Sequence, residues 1–138
     1  LQHLTSLYSV YKRLNLSQMR LYLQSFIHAF RGIGALVKTQ HNVWINLFVT
    51  IGAVAISFLF ELSGFEWSLI IMAIIAVWLA EALNTVVEFL SDTITEKHHP
   101  LIGKAKDVAA GGVLIATIGA TLIGAIVYWP YLKLYVYG

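Results

Sequence analysis

The stretch AEALNTVVEFLSD, residues 80–92, puts Glu81, Asn84, Glu88 and Asp92 at the end of a run, Trp67 to Ala80, that carries no formal charge. At 100° per residue these four polar side chains fall within about 80° of one another on a helix. Ala82, Leu83, Val86, Val87, Phe89 and Leu90 fill most of the remaining circumference. The result is one polar line on an otherwise lipid-compatible cylinder. Counted from Trp67, Glu81 lies about 21 Å down such a helix at 1.5 Å per residue, still inside a hydrocarbon layer roughly 30 Å thick. Glu88 falls near its boundary and Asp92 beyond it. An ionisable group at the depth of Glu81 costs at least about 2.5 kcal/mol to insert. Pairing with Lys or Arg at the helix end, or simple contact with water, accounts for Asp92. Glu81, Asn84 and Glu88 together read as a site for proton transfer, ion passage or ligand binding.

The segment that follows narrows the chemistry. TEKHHPLIGKAKDVAAGG gathers Lys97, His98, His99, Lys104, Lys106 and Asp107 within a few turns of the acidic line. Ammonium groups suit phosphate oxygens, and carboxylates near phosphates suit Mg²⁺, a hard cation that takes oxygen ligands and keeps several waters. Lysines at the end of a span are by themselves ordinary topogenic charge; beside the carboxylates they point to phosphate chemistry on a molecule held in the membrane. His-His-Pro lacks the spacing of a zinc site, and a turn that starts a helix is the simpler reading.

The elements that position these groups follow from composition. The chain is 138 residues long, 59% hydrophobic and 12% charged, with mean hydropathy +0.76. Soluble domains carry about a quarter charged residues, so lipid must cover much of this surface. Three uncharged runs predict an all-α membrane protein with spans at 43–61, 66–92 and 108–130. Residues 1–38 mix apolar side chains with Arg20, Arg31 and Lys38, the pattern of an amphipathic helix lying in the interface, and 93–107 forms a connection. The whole is expected as a single membrane domain. Five of the nine basic residues precede the first span and three more lie at 97–106, so the positive-inside rule puts the N-terminal segment and the 93–107 loop in the cytoplasm. Gly112, Ala116, Ala120 and Gly124 form a stripe of small residues that lets a helix approach closely, within the chain or between subunits. Cysteine is absent, which excludes disulfides and thiolate metal sites. A net charge of +2 is too slight to imply a nucleic-acid partner. The opening LQHLTSLYSVYKRLNLSQMR lacks the clean apolar core of a cleavable signal, and it begins with Leu1 rather than Met, as expected of a truncated chain.

Three stretches, SFIHAFRGI, EALNTVVEFLSD and HPLIGKAKDVAAGGVLI, resemble the prokaryotic diacylglycerol kinase family, which includes the undecaprenol kinases. The resemblance runs from about Ser25 to Gly124. It implies a small trimeric enzyme of a bacterial inner membrane, with an interfacial helix and three transmembrane helices per subunit. It further implies transfer of the ATP γ-phosphate to a lipid hydroxyl. Glu81 matches the family's catalytic base and Glu88 a carboxylate holding the metal that bridges the ATP phosphates. Asn84 matches a residue lining the same site, with Asp92 next along the line. Lys106 and Asp107 match part of the nucleotide site, and His99, with Lys97 and His98 beside it, falls where the family's loop contacts ATP.

The sequence departs from the family pattern before the first span. Where the family usually has Glu-x-Asn-x-Arg-Ile-His, this chain reads QHNVWIN, residues 40–46. Gln40 thus stands where the family has a second metal carboxylate, and Trp44 and Asn46 replace the usual Arg and His; Asn42 is retained. An amide oxygen can ligate Mg²⁺ but brings no negative charge. Two readings stay open: an active lipid kinase for undecaprenol or diacylglycerol that works with Gln40 and His41, or a catalytically weakened pseudokinase serving as a lipid-binding or structural subunit. An ion or proton pathway, which the acidic line alone would allow, leaves the Lys106–Asp107 pair unexplained.

Overall fold

The computed structural model describes the backbone of residues 2–39, 41–94 and 99–137, and the side chains of 18–38, 42–94 and 99–137. Four helices make up the described residues: α1 (Gln2–Thr39), α2 (His41–Leu59), α3 (Gly64–Ile94) and α4 (Pro100–Tyr137). The chain divides into two compact units, Leu1–Thr39 and Gln40–Gly138. In the first, α1 is amphipathic and exposes Leu23, Phe26 and Phe30 alongside Arg20 and Arg31.

In the second unit α4 packs chiefly along α3, and α2 meets α3 over a smaller area. All three helices are long and apolar enough to cross a membrane by length and composition. At 1.5 Å per residue α3 and α4 run to roughly 45 Å or more, longer than the hydrocarbon layer, so each extends beyond it. Residues 100–107, expected as connection, therefore form the first two turns of α4. Pro130 does not end that helix, which continues to Tyr137. An interior proline removes one ladder bond, and a helix in lipid tolerates this when the freed carbonyl finds another partner.

Burial is the reverse of a soluble bundle. The apolar core is a cluster of Leu62, Ile70 and Val127, while Ser57, Glu81, Thr85 and Ser91 are buried and dozens of large apolar side chains face outward. A surface of this kind is stable only against lipid or another protein. The small-residue stripe is not closed by the chain's own helices at its near end, where a Cβ on Gly112 would meet nothing within 4 Å.

One end of the unit is heavily bonded. α2 terminates with Glu61 at φ 51; Leu62 N donates to Ser57 O and Glu61 N to Phe58 O, each at 3.2 Å. These are the paired bonds of a Schellman ending, here with a non-glycine residue in the left-handed position. Ser63 then caps α3. Its N and Oγ both donate to Glu66 Oε2, at 2.8 and 2.7 Å, and its Oγ accepts the Glu66 N–H at 3.4 Å. This reciprocal pairing is a capping box. Tyr131 Oη on α4 donates to the same Glu66 oxygen at 2.8 Å, and its ring stacks on Phe60 with centroids 5.4 Å apart. One turn inward, Tyr128 Oη lies 2.8 Å from Ser57 Oγ and donates to the Ala53 carbonyl at 2.9 Å. The aromatic and hydroxyl contacts tie α4 to the end of α2.

Candidate active site

The continuous helix α3 carries the acidic line, so Glu81, Asn84, Glu88 and Asp92 share a face as their spacing requires. Burial grades along it: Glu81 is 4% exposed, Asn84 and Glu88 are half-buried, and Asp92 is exposed. Each carboxylate has a different kind of partner. Glu81 Oε1 accepts a hydrogen bond from Asn46 Nδ2 on α2 at 3.0 Å. Among the described residues it forms no ion pair. Glu88 Oε1 accepts from Asn84 Nδ2 at 3.1 Å, one turn away on the same helix. Asp92 Oδ1 meets Lys106 Nζ of α4 at 2.8 Å, an ion pair of largely exposed side chains. Such pairs contribute about 0–1 kcal/mol, so Lys106 can exchange Asp92 for another anion at little cost.

The start of α4 explains His99. Pro100 occupies the first helical position, where a missing N–H costs nothing. His99 Nδ1 accepts the Leu101 N–H at 3.3 Å, and its carbonyl accepts from Gly103 N at 3.0 Å. The histidine acts here as a helix cap. Asp107 is exposed on the next position after Lys106, about 100° round the helix from it. Gln40, Lys97 and His98 lie outside the described residues, as does the side chain of His41.

Beside Glu81 a cleft of about 320 Å³ runs between the three helices, lined among others by Asn46, Thr50, Ala73, Thr121, Gly124 and Tyr128. Its wall is almost entirely apolar, and Asn46 brings it to the edge of the acidic line. The arrangement can seat an apolar chain and present a polar end to a buried carboxylate. A divalent metal fits more loosely. Among the described residues no three His, Asp or Glu side chains converge, yet Mg²⁺ is commonly held by one or two carboxylates with substrate phosphates and water completing its shell. Glu88, steadied by Asn84, is a donor of that type.

The residues that sequence reasoning did not single out for a role are Asn46, Thr50 and Trp78. Trp78 Nε1 donates to Thr50 Oγ1 at 3.0 Å, one turn from the Asn46–Glu81 bond. The available signal was two polar residues four apart, Asn46 and Thr50, on a helix otherwise almost wholly apolar.

The profile of the family described as prokaryotic diacylglycerol kinase matches residues 27–128. The chain is 36% identical over 114 residues to an undecaprenol kinase of Bacillus subtilis, covering 83% of this chain and 93% of that protein. It is 32% identical over 109 residues to a diacylglycerol kinase of Synechocystis, covering 78% of this chain and 62% of that relative. With a diacylglycerol kinase of Escherichia coli it shares 33% identity over 79 residues, 57% of this chain and 65% of the relative. The match thus spans less than two thirds of each of these two diacylglycerol kinases and nearly all of the undecaprenol kinase. A helical membrane bundle with a buried carboxylate, an adjoining apolar cleft and this breadth of likeness places the chain in the prokaryotic diacylglycerol kinase family of lipid kinases.

Proposed function

We propose that the protein transfers the γ-phosphate of ATP to the hydroxyl of a membrane lipid alcohol, undecaprenol or diacylglycerol. The observation that carries this reading is Glu81: a carboxylate 4% exposed, with Asn46 as its side-chain partner and an apolar cleft alongside. A carboxylate held this way is suited to act as a base toward a hydroxyl brought in on an apolar chain. The lipid O–H proton passes to Glu81 as the lipid oxygen forms its bond to the γ-phosphorus. The bond from phosphorus to the β,γ-bridging oxygen breaks, and ADP leaves with that oxygen. Glu88 would hold Mg²⁺, whose charge supports the nucleotide's phosphates, and Asn84 orients Glu88. Lys106, released from Asp92, supplies positive charge to the same phosphates. Asp107, Lys97, His98 and His99 belong to the nucleotide side of this reading, and Gln40 to the metal side.

The same reading sets the protein in a bacterial inner membrane with residues 1–38 and 93–107 in the cytoplasm, where ATP is found. The basic residues on those segments support it. A homotrimer belongs to it too, supported by the outward-facing apolar helices and the open small-residue stripe. Coverage of nearly the whole undecaprenol kinase favours undecaprenol as the alcohol.

Purified protein assayed with Mg-ATP and each lipid in turn tests this. Phosphorylated lipid that disappears in Glu81→Gln is the expected result. No turnover on either lipid, with turnover appearing in Gln40→Glu, would overturn it in favour of the weakened pseudokinase.

A further inference from the structure

We infer that Asn46 is a positioning residue for Glu81, and that the Thr50–Trp78 bond one turn away fixes the helix register this requires. The inference rests on Glu81 being the base. Two cross-helix hydrogen bonds join α2 to α3 here, and they run in opposite senses: Asn46 on α2 donates to Glu81, while Trp78 on α3 donates to Thr50. Asn46 and Thr50 are four residues apart, Trp78 and Glu81 three, so each pair occupies one face of its helix. The bonds form two rungs of one ladder. A slip of one residue in either helix would turn its face by about 100° and break both rungs together.

The chemistry of the upper rung is specific. A carboxylate buried without a hydrogen bond is costly, so Glu81 needs a donor. A Lys or Arg in that place would bind it as an ion pair and compete with an incoming alcohol for the charge. The amide of Asn46 donates an N–H and adds no net charge. It engages Oε1, and among the described residues no side chain donates to Oε2, the oxygen the hydroxyl would approach. Asn46 and Thr50 also line the cleft, so a lipid seated there lies against the side chains that hold the base. This gives Asn46, at a position where the sequence departs from its family, a defined task.

The test compares Asn46→Leu, nearly the same size without the donor, with Asn46→His, which restores a ring N–H. Asn46→Leu is expected to lower kcat by about 10- to 100-fold, the scale of a misplaced catalytic group. The KM for Mg-ATP should stay within about twofold, because the rung does not touch the nucleotide side, and Asn46→His should recover most of the loss. Thr50→Val should lower kcat less, by a few fold. If Asn46→Leu does not fold, Asn46→Ser, too short to span the bond, replaces it with the same expected loss. A kcat within twofold of the parent, equal impairment in the Leu and His variants, or a loss confined to the KM for ATP would overturn the inference. Glu81→Gln, run in parallel, separates the two claims. If it is inactive while Asn46→Leu behaves like the parent, only the positioning role fails; if it retains full turnover, the base assignment fails and the positioning role with it.

Discussion

The two ends of the three-helix unit are built on opposite plans. At the end near the α2–α3 turn, Glu66 is a carboxylate with three donors on one oxygen: Ser63 N, Ser63 Oγ and Tyr131 Oη. At the other end Glu81 has, among the described residues, a single side-chain donor, and it is the more buried of the two. The turn end spends its carboxylate on structure, closing a helix cap and joining α3 to α4. The acidic end gives its carboxylates separate single-point contacts on three different residues, Asn46, Asn84 and Lys106, none of which closes a helix cap. Two glutamates fifteen residues apart on one helix thus differ in bonding and burial because of what surrounds them.

Exchange experiments can break this contrast. Removing the charge of Glu81 should act on turnover alone: Glu81→Gln is expected to lower kcat by about 10²- to 10⁴-fold, the range for a general base, with an unchanged unfolding temperature in detergent. A fall in stability instead would make Glu81 structural, like Glu66. Next in size, Asn84→Ala should raise the Mg²⁺ concentration for half-maximal activity by about 10- to 100-fold, as loss of a group that orients a metal ligand does. Titration of activity with Mg²⁺ after chelation measures this. At the turn end, Glu66→Ala should cost about 1–2 kcal/mol of stability through the lost cap and the stranded Tyr131 hydroxyl. Its kcat should match the parent. The smallest effect is expected at Glu61, where Gly removes the left-handed strain of roughly 1 kcal/mol but adds chain entropy of somewhat less. Glu61→Gly should therefore raise stability by about 0.5 kcal/mol, read as a small upward shift in unfolding temperature.

The sequence disclosed these two ends unequally. Three spans and the shared face of Glu81, Asn84, Glu88 and Asp92 follow from charge-free length and helical periodicity, which act along the chain. His99 was legible as a helix-starting turn because Pro100 follows it. The cross-helix facts were not. Asn46 lies thirty-five residues before Glu81, and nothing local says which face of α2 will meet α3. For Asp92 a basic partner at the helix end was legible, but nothing local said that it would be Lys106, fourteen residues on and on another helix. Helix continuation past Pro130 and into 100–107 was hidden too, since hydropathy marks where lipid ends and not where hydrogen-bonded turns end.

The tethering of α2 has a mechanical consequence. It is a rod gripped near its carboxyl end by the Schellman turn and the Ser57–Tyr128 contact, and held toward its amino end by two single bonds. A beam clamped at one end deflects most at the other, and from Ser57 to Asn46 the lever arm is about 16 Å at 1.5 Å per residue. Bending of α2 would therefore grow toward its amino end, and the bonds of Thr50 and Asn46 to α3 are what restrain it there. A chain wedged into the cleft along that arm would damp the swing, adding a third restraint to the two that the side chains supply.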